Sequence, residues 1–128
     1  MNELTPFAPA AVTVHTPASK NPARVYMASL GSATSRATMD QALRVIAELA
    51  APGHTIDTFP WWELRFEHTQ AIRARLAERY DAASANKMLS ALRQTLKNAW
   101  RLKQMTADEY MAAADLANVK GEKPEQAA

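Results

Sequence analysis

Between residues 84 and 105 the chain reads SANKMLSALRQTLKNAWRLKQM, with five basic side chains (Lys87, Arg93, Lys97, Arg101 and Lys103) and no acidic one. Those five are a third of the 15 lysines and arginines in the protein. At a helical advance of about 100° per residue, Met88, Leu89, Leu92, Leu96 and Ala99 gather on one side. Asn86, Ser90, Arg93, Lys97 and Arg101 gather on roughly the opposite side, with Lys87 and Gln94 at its flank. Such a face has the chemistry to grip a polyanion. Lysine and arginine pair with phosphates, while amide and hydroxyl side chains bond base edges. The unpaired backbone N–H groups at a helix start favour a phosphate as well. The plainer alternative is a solvated helix face. Solvent-facing helices usually interleave the two signs for i,i+4 pairing, and here no acid is present, which tips the reading towards nucleic acid.

Other chemistries find less support. There is no cysteine, which excludes a disulfide, a thiolate zinc site and a cysteine nucleophile. His15, His54 and His68 are too widely spaced, with no close carboxylate, to read as a metal set. Glu63 and Glu67 fit a helix start using the backbone dipole better than an acid–base pair. Tyr26, Tyr80 and Tyr110 fall in helical apolar patterns and read as core or rim residues. Trp61 and Trp62, beside Pro60, read as a loop anchor in preference to a stacking platform. No glycine-rich phosphate loop or nucleophile elbow occurs. The expectation is therefore no catalytic residue, no metal and no cofactor.

The elements that would position the basic face are helical. With 3 glycines and no long alternating Val/Ile/Thr run among 128 residues, the chain reads as one all-α domain. Residues 1–20 carry scattered prolines and read as a flexible leader, and 120–128 as a linker. Between them, NPARVYMASLG predicts a first helix with Asn21 as N-cap, Pro22 at its first position and Gly31 as a left-handed stop. SATSRATMDQALRVIAELAAPG predicts a second, capped by Ser32 or Ser35, with Met39, Leu43, Ile46 and Leu49 inward. WWELRFEHTQAIRARLAERY predicts a third after a short irregular turn, and the basic stretch is the fourth. TADEYMAAADLANV predicts a fifth opening on a Thr106–Glu109 capping box. No apolar run approaches the roughly 20 residues of a membrane span, and the absence of cysteine fits a cytoplasmic protein.

Three stretches resemble the N-terminal core-binding domain of the tyrosine recombinases, the phage-integrase family of site-specific recombinases. They are NPARVYMASLGSATSRATMDQALRVIAEL, WWELRFEHTQAIRARLAERYDAASANKMLSALRQTLKNAWRLKQM with its S-A-x-x-x-L-S-A-L-R centre, and TADEYMAAADLANVKGEK. Together they cover about residues 21–123, and the likeness lies in their order and spacing. The resemblance implies a compact SAM-like bundle of four to five helices forming half of a clamp around double-stranded DNA. It places the second and fourth helices across the major groove of a recombination half-site. On the second helix it singles out Ser35, Arg36, Thr38, Gln41 and Arg44. On the fourth it singles out Ser84, Asn86, Lys87, Ser90, Arg93, Gln94 and Lys97. Lys97 and Arg101 are expected at phosphate, and Asp40 either accepts from cytosine or faces water. The family cuts DNA with a tyrosine in a separate C-terminal catalytic domain, expected to follow residue 123, so these residues alone should bind and not cleave. The last helix of the family's domain commonly bridges protomers on DNA. The alternative function is a helical protein–protein adaptor whose basic face meets an acidic partner.

Overall fold

A computed structural model of the chain describes residues 16–121; the expected leader up to residue 15, including His15, and residues 122–128 lie outside the described residues. Among the described residues the protein is all-helical and compact. Its elements are α1 (Pro22–Ala28), α2 (Ala33–Ala50), α3 (Phe66–Arg79), α4 (Ala82–Arg101) and α5 (Ala107–Ala113), with single 3-10 turns at Ala18–Lys20 and Trp61–Glu63. No helix among them is long and apolar enough to cross a membrane.

Local chemistry sets most helix starts. Asn21 Oδ1 accepts from the N–H groups of Ala23 (2.9 Å) and Arg24 (3.3 Å), with Pro22 in the first helical position where its missing donor costs nothing. The same side chain is fully buried, and its Nδ2 donates to Ile56 O at 3.0 Å, so the cap also fastens α1 to a distant loop. Ser32 caps α2 through the Ser35 N–H (3.0 Å), and Asp81 caps α4 through the Ser84 N–H (2.7 Å). The capping box of α5 forms as expected, with Thr106 N–H donating to Glu109 Oε1 (2.9 Å) and Glu109 N–H to Thr106 Oγ1 (3.1 Å).

Two expectations need correction. Gly31 is not a left-handed stop: α1 closes by tightening, with Ser29 N–H donating to Tyr26 O (3.0 Å) and Leu30 N–H to Met27 O (3.1 Å). Positive φ occurs instead at Gly53 (93°) and at Lys103 (64°), where α4 ends. Helix α3 begins at Phe66, after the short turn expected at the tryptophans, where the Arg65 N–H is capped by His68 Nδ1 at 2.9 Å. Helix α5 stops at Ala113, whereas the pattern predicted a helix reaching Val119. From Asp115 to Val119 each backbone carbonyl accepts from a side chain of α3 or α4, which replaces the bonds a continuing helix would make.

The core is built around α4, which touches every other α-helix and the Trp61–Glu63 turn. Its Leu89, Leu92 and Leu96 are fully buried in one core with Leu43 and Ile46 of α2, Leu76 of α3, and Ala23 of α1. The segment between α2 and α3 plugs one end. Ile56, Phe59 and Trp61 are all buried, Trp61 Nε1 donates to Ile56 O at 3.1 Å, and its ring meets Phe59 edge-on at 4.7 Å. Trp61 is thus an anchor. Burial on this scale stabilises by about 1.5–3 kcal/mol for each large apolar side chain.

Candidate nucleic-acid interface

Helix α4 divides into three sectors, where the sequence pattern suggested two. The first is the core stripe. The second is an outward ridge of Ala83, Lys87, Ser90, Gln94, Lys97 and Arg101, each three or four residues from the next. All are exposed except the half-buried Lys97. Among the described residues the side chains of Lys87, Ser90, Gln94, Lys97 and Arg101 take part in no ion pair. The third sector is a flank carrying Asn86, Arg93 and Trp100, one every seven residues.

That flank is already in use. Asn86 Nδ2 donates to Val119 O (3.0 Å), while the Val119 N–H donates back to Asn86 Oδ1 (2.7 Å). Arg93 Nη2 donates to Leu116 O (2.6 Å) and to Asn118 Oδ1 (2.9 Å). Trp100 stacks on Tyr110 of α5, ring centres 5.5 Å apart and planes 9° from parallel. Of the expected groove residues on α4, Asn86 and Arg93 therefore face the segment after α5, and Lys87, Ser90, Gln94, Lys97 and Arg101 face outward.

Helix α2 meets the start of α4 at a shallow groove lined by Ala37, Thr38, Gln41, Ala42, Ser84, Lys87 and Met88. Four residues singled out in the sequence (Thr38, Gln41, Ser84 and Lys87) thus share one concave surface. The first turn of α2 projects beyond the core, since every residue from Gly31 to Ala37 is exposed. Ser35 Oγ bonds Ser32 Oγ (3.0 Å), and Thr38 Oγ1 donates back to Thr34 O (3.0 Å), so both hydroxyls sit at the surface in local bonds.

The two expected arginines of α2 are less available. Arg36 Nη1 donates to Leu30 O at 2.9 Å and steadies the α1–α2 turn. Arg44 Nε donates to Asp40 Oδ1 at 2.6 Å. Asp40 does not simply face water: it is shared between Arg44 and Arg24, whose Nη1 lies 3.5 Å away. Arg24 also grips Asp57 through two bonds of 2.8 and 2.9 Å. These Asp57 bonds, with the nearby Asp40 charge, hold the Arg24 guanidinium protonated even more firmly than usual. The start of α4 is likewise occupied. Hydrogen bonds from Ser84 to the exposed Asp81 carboxylate, with Lys87 nearby, hold it below the ordinary carboxylate range. A phosphate would meet that negative charge at α4, whereas α2 opens on the neutral Ser32.

The other candidate residues take structural places. His54 is buried with Nδ1 3.1 Å from Thr58 Oγ1, and His68 caps α3. Tyr26 is buried, and desolvation pushes its phenol above the ordinary value. Gln70 and Arg73 of α3, which the sequence reading passed over, bond the segment after α5. The available clue was the seven-residue spacing of Asn86, Arg93 and Trp100, a stripe distinct from the ridge beside it.

Compared with family models, with curated proteins and with solved structures, the chain has no match.

Proposed function

We propose that this chain is a DNA-binding module of the core-binding, SAM-like type found in tyrosine recombinases. It grips one side of a duplex half-site in the cytoplasm, while a separate catalytic domain does the cutting. The observation that carries the reading is the acid-free ridge of α4, with Lys87, Lys97 and Arg101 unpaired among the described residues and Ser90 and Gln94 between them. Thr38 and Gln41 of α2 lie across a shared groove from Ser84 and Lys87, so polar groups suited to base edges adjoin cations suited to phosphate. The residues of this chain have a binding role only: they supply cations and amides, and no nucleophile.

Shift mapping by NMR with a short duplex tests the proposal. Amides of α2 and of the α4 ridge should move together, reversibly and less at higher salt. No shift in α2 or α4 at low salt would refute it.

A second reading, the helical adaptor, rests on a different observation. Phe66 (47% exposed), Trp100 (39%) and Met111 (64%) are large apolar side chains on α3, α4 and α5, left partly in water. Shifts confined to α5 and its neighbours, growing with protein concentration and indifferent to DNA, would favour that reading.

A further inference from the structure

The segment after α5 is bound in an unusual way. Five consecutive carbonyls, from Asp115 to Val119, each accept from a side chain of the helices beneath. Gln70 of α3 donates to Asp115 O (3.0 Å), Arg93 of α4 to Leu116 O (2.6 Å), and Arg73 of α3 to both Ala117 O (2.6 Å) and Asn118 O (3.1 Å). Asn86 of α4 then takes Val119 O at 3.0 Å. The chain is held by its backbone, and Leu116 is its one buried anchor, with Val119 half-buried.

Two guanidiniums converge on one neutral residue there, Arg73 on Asn118 O and Arg93 on Asn118 Oδ1 (2.9 Å). Neither meets a carboxylate among the described residues. Amide oxygens offer arginine an acceptor without formal charge. A phosphate adds charge on the acceptor side as well and can engage both arms of a guanidinium. The Arg73 bonds are also exposed to water, and a segment with few buried apolar contacts opens at low free-energy cost. Arg93 lies four residues before Lys97, so it adjoins the outward ridge.

The geometry points to a covered cationic site: residues 115–119 are a strap over Arg73 and Arg93, and a DNA phosphate competes with the strap's carbonyls for the same two guanidiniums. Displacing the strap carries the cationic surface from the α4 ridge across to α3. The inference rests on the DNA-binding reading and adds to it a cover that limits grip until the strap lifts.

The test uses the full chain and a labelled duplex, with affinity followed across a salt series. Leu116→Ser unseats the strap's anchor and leaves every cation in place. It should bind more tightly, with a salt slope steeper by about 2, at about 0.9 per phosphate gained. Adding Arg73→Gln and Arg93→Gln should return the slope to that of the parent. Asn118→Gly, at an exposed position, leaves Leu116 seated, removes one of the two bonds that hold Arg93 and loosens the chain where both arginines meet it, and should steepen the slope by up to about 1. It carries the test alone should Leu116→Ser fail to fold. Slopes equal to the parent's, or weaker binding by either folded variant, would overturn the strap while leaving the ridge reading intact. A parent that binds no duplex at low salt would overturn both.

Discussion

Neutralising the α4 ridge gives the most direct quantitative check. Replacing Lys87, Lys97 and Arg101 together by glutamine removes three cations and keeps side chains of similar length and helix propensity. None of the three holds the fold through an ion pair among the described residues. Along α4 the span from Lys87 to Arg101 is about 21 Å at 1.5 Å per residue. That covers about six base-pair steps of 3.4 Å, room for three separate phosphate contacts. Each contact contributes about 0.9 to the slope of log affinity against log salt, so the variant's slope should be shallower by about 2.7. Between 50 and 200 mM salt the parent should then lose about 40-fold more affinity than the variant. Fluorescence anisotropy with a labelled duplex reads both quantities. Arg65→Gln is the control, because Arg65 bonds Trp62 O and Leu64 O and pairs with Glu109 at 3.3 Å. A slope difference below about 1 for the triple variant, or an equal change in the control, would refute the ridge as the gripping surface.

Three further outcomes concern the scaffold. Asn21→Ala removes an N-cap and a buried bond to Ile56 O together, and should cost about 2–3 kcal/mol in urea unfolding; a loss below about 0.5 kcal/mol would mean the cap is not what ties α1 to the loop. Thr95 is fully buried on α4 with an Oγ1 that has no hydrogen-bond partner, so Thr95→Val should raise stability by about 1 kcal/mol, read as an upward shift in Tm. Asp81 titrates below the ordinary carboxylate range when folded. Its contribution is therefore present above the unfolded value of about 4 and lost as pH falls through the lower folded value. The stability advantage of the parent over Asp81→Asn should shrink on acidification below pH about 4, and a constant difference from pH 7 down to 2 would contradict the assignment.

Much of the scaffold was legible from order along the chain. Helix periodicity and capping chemistry act over three or four residues, so the Asn21 cap, the Thr106–Glu109 box and the inward stripe Leu89–Leu92–Leu96 could be read directly, and the α2 cap narrowed to Ser32 or Ser35. The absence of acid along the ridge is likewise a property of sequence alone. What could not be read was which polar groups the fold had already engaged. Arg36, Arg44, Asn86 and Arg93 lie on the same polar faces as the residues expected at DNA, yet their partners are Leu30, Asp40, Val119, Leu116 and Asn118. Apart from Asp40 those partners lie 6 to 33 positions away, beyond the range of any local pattern.

The early end of α5 has the same origin. Residues 114–119 have the composition of a helix, and an isolated helix gains its stability from bonds to its own backbone. Gln70, Arg73, Asn86 and Arg93 offer those carbonyls other donors, and the four come together only once α3 and α4 are packed. Sequence by itself determined where helices start, which faces turn inward and where positive charge accumulates, since these depend on neighbours within a turn or two. Tertiary structure alone decided which of those charges remain exposed and which are spent holding the chain, because a side chain's partner is set by folding in space.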